Sequence, residues 1–155
     1  YCTTFFFFFG LDSNFPGKEI AIGHNSLSSK KQTLEDQFVQ KLIDDIGENH
    51  LRRFIPYVQM YEFEGLLFSD SEAIASNLGI NLASVERIVT EFDTPEHINN
   101  SPQTAPSKRL QALSSSYDKV FLGSLIALDV GIEKMREKCS GFDNWLTRIE
   151  NLPPI

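Results

Sequence analysis

At 155 residues the chain is one domain's worth of polypeptide, long enough to bury a real core. Its net charge of −7 and isoelectric point near 4.9 argue against a general nucleic-acid binder held by a basic surface, but not against a nuclease, because metal ions supply local positive charge in an acidic site. Two cysteines are too few for a disulfide framework and suggest a reducing, cytoplasmic setting, and no apolar run reaches the length of a membrane span.

Taken in order, CTTFFFFF from Cys2 to Phe9 is rich in Thr and Phe and predicts a fully buried strand. The chain starts at Tyr1, directly on this strand, which suggests a fragment whose N-terminal part is missing. Gly10 ends the strand, and LDSNFPGK carries turn residues through Pro16 and Gly17. Asp12 falls just past the strand's C-terminal end, where parallel α/β sheets keep their sites, but it reads first as an ordinary turn aspartate. Glu19 to Lys31, Ser- and Lys-rich around IAIG, reads as a loop with a solvated His24. Thr33 starts a helix whose stripe of Leu34, Phe38, Leu42 and Ile46 is closed by Gly47. Arg52 and Arg53 follow as a basic pair, able to reach acidic groups or phosphates and otherwise solvated.

Phe54 to Asp70, FIPYVQMYEFEGLLFSD, is the longest apolar run, and two carboxylates sit inside it. In an extended strand Val58, Met60, Glu62 and Glu64 share one face. From Phe63 the period changes: Phe63, Leu66 and Leu67 fall at i, i+3 and i+4, which suits a helix. Glu62 and Glu64 therefore lie where a strand gives way to a helix. A buried ionised carboxylate needs a cation, donors or an exposed edge. A divalent metal shared by the two meets that need, and so does pairing with a nearby Lys or Arg.

Ser69 with Glu72 three residues on forms a capping box for a short helix that ends at Asn77-Leu78-Gly79. Asn81 caps the next, with Leu82, Val85, Ile88, Val89 and Phe92 inward. DTPEHINNSPQ, Asp93 to Gln103, is a polar segment with His97 at the surface. In PSKRL, residues 106–110, Ser107, Lys108 and Arg109 put donors at the opening of a helix, a place that favours anions. The cluster can hold a phosphate or pair with Glu62 or Glu64, or simply be a capped helix with two solvated bases. From Tyr117 the chain reads as a long helix with a core stripe of Leu125, Leu128, Ile132, Met135 and Cys139. Phe142, Trp145, Leu146 and Ile149 form a last amphipathic helix, ended by Pro153 and Pro154. The order is α/β, with two strands separated by a helix, hence a parallel pair joined by a right-handed crossover, followed by a helical C-terminal half. Two strands make a poor sheet, so the small parallel sheet reads as incomplete.

Four stretches, TTFFFFFGLDSNFPGK, RFIPYVQMYEFEGLLFSD, PEHINNSPQTAPSKRL and GFDNWL, resemble in this order the bacterial domain of unknown function family 4276. The match runs over nearly the whole chain, and YEFEGLLFSD and APSKRL are its most specific parts. The family looks like a Toprim-type α/β domain, and its members are often encoded beside AAA-type ATPases in arrangements that suggest defence against phage or plasmids. The resemblance implies magnesium-dependent cleavage of nucleic acid, with an ATPase and nucleic acid as partners and no membrane. It implies that residues 1–155 are a single Toprim-like domain lacking its N-terminal strand and that strand's glutamate. Glu62 and Glu64 carry over as metal-binding and catalytic residues, Lys108 as catalytic, and Ser107 and Arg109 as substrate-binding. Two positions depart from the family: Phe7 stands where an acid is usual, and Tyr61 where a His usually precedes EFE. The missing acid at Phe7 and the acidic net charge favour an alternative, a degenerate, non-catalytic protein-interaction module.

Overall fold

The strands pair as the crossover argument requires. In a computed structural model, which describes residues 1–98 and 101–153, β1 (Cys2–Thr3) runs parallel to β3 (Phe54–Ile55), and β2 (Phe6–Phe7) runs parallel to β4 (Val58–Gln59). Backbone N–H groups of Thr4 and Phe6 donate to the Ile55 and Tyr57 carbonyls at 3.3 and 3.2 Å, carrying the ladder across the gap between the pairs. Asn99 and Asn100 of the predicted polar segment, and Pro154, lie outside the described residues. Contacts divide the chain into two compact units, Tyr1–Met60 with the segment from Trp145 onward, and Tyr61–Asn144.

In the first unit the expected long, fully buried strand is corrected. Cys2 and Thr3 are exposed, Phe5 to Phe7 are half-buried, and from Phe8 to Gly10 the chain winds into a 3-10 turn. Among the described residues each of these strands has one strand neighbour. Alternation still sorts the rings. Phe6 meets Phe15 and Phe38 at 5.8 and 5.6 Å, whereas Phe5 stacks on Tyr57 at 5.2 Å and touches Phe7 and Trp145. Trp145 lies 4.8 Å from Tyr57, and its indole N–H donates to Thr3 Oγ1 at 2.8 Å.

The predicted loop over residues 19–31 is instead helical. It holds α1 (Lys18–Ile22) and the opening of α2 (Leu27–Ile46). Ser26 explains the second: its hydroxyl accepts from the Ser29 N–H at 3.0 Å, so the serine-rich run is a helix cap with a solvated face. Gly47 closes α2 as predicted, in a positive-φ conformation that favours glycine. Glu35, unremarked in the sequence, is buried on α2 and accepts from the Val58 N–H of β4 at 3.0 Å. Its pKa is raised by burial, against the pull of Lys31 at 3.9 Å.

Helices make up the second unit. The proposed alternation of Val58, Met60, Glu62 and Glu64 on one strand face does not occur, because the strand ends at Gln59 and Phe63 is already helical. Tyr57 to Tyr61 are all buried, so this segment has no solvent face to alternate against. After α3 (Glu64–Leu67) come α4 (Ser71–Leu78) and α5 (Leu82–Val89). The N-cap of α4 is Asp70 rather than Ser69: its carboxylate accepts from the Glu72 and Ala73 N–H groups at 3.0 and 3.3 Å. Ser69 instead lies against Cys139, Oγ to Sγ 3.5 Å. Gly79 and Asn81 end and begin their helices as predicted.

Next are α6 (Pro106–Leu113), α7 (Phe121–Lys138) and α8 (Ser140–Glu150). Helix α7 begins four residues later than Tyr117, and its stripe is corrected. Ile126, Val130, Met135 and Cys139 are buried, whereas Leu125, Leu128 and Ile132 are exposed. A 3.6-residue phase holds only along an unbroken helix, and Gly131 interrupts this one at φ +72°. Among the described residues no helix is long and apolar enough to cross a membrane.

Candidate functional site

Glu62 and Glu64 enter the site from the turn that opens α3. Glu64 is the first residue of that helix, and Leu66 and Leu67 are fully buried around it. Glu64 itself has no exposed surface. A carboxylate there must be neutralised or supplied with donors, since burial of an isolated charge is prohibitive. Lys119 does this. Its ammonium lies 3.0 Å from Oε1 and donates to Oε2 at 3.1 Å, while its own head remains largely in water. Oε1 nonetheless receives no aligned hydrogen bond.

Glu62 is half-buried and meets the start of α6. Its Oε2 accepts the Ser107 backbone N–H at 3.0 Å. The local sequence explains why. Ala105 precedes the helix and offers no capping side chain, and Pro106 has no N–H, so Ser107 carries the first free donor of the helix. A carboxylate on that donor also gains from the positive end of the helix dipole. Gly65 lets the elements close up, because a Cβ there would stand 3.3 Å from the Pro95 carbonyl and 3.8 Å from the Pro106 ring. Of the two predicted occupants of this helix end, a phosphate or one of the two glutamates, the structure places Glu62 on it.

The basic residues of PSKRL point elsewhere. Lys108 is exposed and donates to Gln111 at 3.1 Å. Arg109 pairs with Glu91 at 3.0 Å, donates to the Thr104 carbonyl at 3.1 Å and lies over the Phe92 ring. Glu64 is met instead by Lys119, from a stretch the sequence offered only as helix.

Tyr117 is the other unread member. Its hydroxyl is buried, has no aligned hydrogen-bond partner, and sits where a Cβ on Gly123 would come within 3.0 Å. Burial raises its pKa far above the ordinary phenol value, and the charges of Glu64 and Glu62 push the same way. Both carboxylates therefore act on one phenol oxygen. The signal available in the sequence was SSYDKVFLG: a Tyr and a Lys two apart, with a glycine before the next helical turn.

These groups bear on the magnesium that the resemblance implies. Among the described residues no cluster of three or more His, Cys, Asp or Glu side chains could hold a metal. Two carboxylates are nevertheless a common protein share of a magnesium shell, the rest being water and substrate phosphate. The buried Tyr117 hydroxyl, which lacks an aligned hydrogen bond, fits such a group, because unsatisfied buried oxygens are rare without a reason. Glu96, buried and also missed, accepts from the Gly141 and Phe142 N–H groups at 2.8 and 3.2 Å and so caps α8.

The family model described as Domain of unknown function (DUF4276) matches residues 1–150. The chain belongs to that family. No curated protein and no solved structure matches it. Within DUF4276 this chain's YEFEGLLFSD and APSKRL stretches thus meet physically, through the Glu62 carboxylate and the Ser107 N–H.

Proposed function

We propose that this DUF4276 chain is a Toprim-like, cytoplasmic component of an ATPase-coupled bacterial defence system and takes part in magnesium-dependent cleavage of nucleic acid. One observation carries the reading: a buried tyrosine hydroxyl without an aligned hydrogen bond lies in the field of two carboxylates from one turn, one of them fully buried on Lys119. Glu62 and Glu64 are the residues that would hold magnesium, which when bound activates water and stabilises the leaving oxygen of a phosphodiester. Glu64 supplies a charge that water does not screen. Lys119 balances that charge, with its ammonium held on the Glu64 carboxylate at the solvent edge of the site. Lys108, exposed on the first turn of α6, and Arg109 behind it are the further phosphate contacts of the proposal, and Ser107 fixes Glu62.

The test is cleavage of single- and double-stranded oligonucleotides with magnesium or manganese, with chelator as control. The Glu62→Gln, Glu64→Gln double variant keeps the acceptor oxygens but not the charges. Metal-dependent cleavage reduced about 100-fold or more in that variant supports the reading. Cleavage equal in the two proteins, or absent from both, removes it.

A second reading, a non-catalytic interaction module, has its own support. Phe7 stands where the family usually has an acid, and it packs edge-on against Phe5 at 5.4 Å. The Lys119 ammonium already supplies a cation to both Glu64 oxygens. Absent cleavage combined with retention of a co-expressed AAA-type ATPase selects it.

A further inference from the structure

Lys119 stands where a cation bound to Glu64 would stand. Its ammonium lies 3.0 Å from Oε1 and 3.1 Å from Oε2, so it straddles both oxygens of the carboxylate. Glu64 has no exposed surface, whereas the Lys119 side chain is 59% exposed. The lysine therefore reaches the buried carboxylate from the solvent side and covers its outward face.

The backbone on either side of Lys119 is tied down. Tyr117 is buried, and its hydroxyl packs where a Cβ on Gly123 would come within 3.0 Å. Its N–H donates to the Ser114 carbonyl at 3.0 Å, and the Asp118 carboxylate accepts the Phe121 N–H at 2.6 Å to begin α7. Lys119 itself lies between α6 and α7, outside both helices, with more than half of its side chain in water. Returning such an ammonium to water costs the lysine little, because the ion pair it gives up is partly screened and it regains rotamer freedom. Glu64 cannot be left behind uncompensated, since a buried charge without a partner is strongly destabilising. Lys119 can therefore leave only in exchange for another cation.

We propose that Lys119 is a built-in competitor for magnesium: its ammonium holds the Glu64 carboxylate and gives way, by a change of side-chain rotamer, when a divalent cation takes its place. The proposal rests on the reading of Glu62 and Glu64 as magnesium residues and adds the regulation of that site. Magnesium ligates a carboxylate oxygen at about 2.1 Å, so on the outward face of Glu64 the ion and the ammonium exclude each other. The consequence is a threshold. Lys119 weakens the apparent affinity of the carboxylates in proportion to the fraction of molecules in which it holds Glu64.

The experiment measures manganese binding to the whole chain by electron paramagnetic resonance, with magnesium as competitor, in wild type, Lys119→Met and Lys119→Arg. With Lys119 on Glu64 in about nine molecules of ten, Lys119→Met should bind about 10-fold tighter than wild type. Arginine keeps the charge and presents a fork that matches both carboxylate oxygens, so Lys119→Arg should bind more weakly than wild type. A second readout needs no variant to fold: in wild type the NMR signal of the Lys119 side-chain Cε should shift with magnesium at the binding midpoint. A Lys119→Met chain that binds no tighter overturns the proposal, as does a Cε signal unmoved at saturating metal. Tighter binding in Lys119→Met with unchanged affinity in Lys119→Arg would show that charge alone acts, and overturns it too. Equal binding by all three chains leaves the magnesium site standing and removes only the competitor. No binding by any of them at millimolar metal removes both.

Discussion

Glu64 has no water to solvate it, so the cost of its charge falls on Lys119. Removing one member of a buried pair leaves the other uncompensated, which costs more than the pair contributes. Lys119 is more than half exposed, so solvent screens part of the attraction, and Lys119→Met should cost about 1–3 kcal/mol in urea unfolding. Replacing Glu64 by Gln in the same chain should recover most of that loss. Tyr117 behaves oppositely. Its buried hydroxyl lacks an aligned partner, so Tyr117→Phe should raise stability by about 1 kcal/mol while weakening divalent-metal binding. A stability loss on Tyr117→Phe would mean that the hydroxyl is satisfied in solution. The two thiols separate just as sharply. Cys139 is buried and its pKa is pushed up to about 12 by burial, whereas Cys2 is exposed. A thiol reagent should label Cys2 quickly in the native chain and Cys139 only on unfolding.

At the scale of elements, caps decide where helices begin, and they explain both what the sequence disclosed and what it hid. Local caps are legible: Asn81 and Gly79 announced the limits of α5 and α4, and Gly47 the end of α2. Caps supplied from far along the chain are not. Glu62 serves α6 across 45 residues, and Glu96 serves α8 across a similar span, so no window of sequence pairs them. The same limit hid Lys119 from Glu64. In α7 the misplaced stripe has a different cause: Gly131 resets the helical phase, and a glycine in a sequence does not disclose its φ. Glu62→Ala should cost about 0.5–2 kcal/mol by uncapping α6, and Glu62→Gln much less, because the amide oxygen still accepts the Ser107 N–H. Glu35 joins α2 to β4 and adds a pH dependence. Burial raises its folded pKa, so the native state holds a proton that the unfolded chain releases first. That contribution is full below the ordinary glutamate value and is lost as pH rises through the folded pKa. Urea midpoints across this range should fall less with pH in Glu35→Gln than in wild type.

For the whole molecule, the −7 charge sets the terms on which nucleic acid can approach. An acidic chain gains little from counterion release, so binding of oligonucleotides should be weak in chelator and should strengthen with magnesium or manganese. Equal affinity in chelator and metal, read by fluorescence anisotropy, would contradict a metal-bridged contact. The mixed α/β order, the parallel strand pairs and the helical second half were all legible, because they rest on periodicity and chain order. Strand length and burial were not, because they depend on neighbours that no local pattern names. The most direct test of the central claim is a magnesium titration of the uniformly labelled chain followed by NMR. Saturable shifts at Glu62, Glu64 and Tyr117, abolished in the Glu62→Gln, Glu64→Gln variant, are the predicted result. Unmoved resonances at millimolar magnesium, or shifts that survive the double substitution, would show that the pair serves the fold alone.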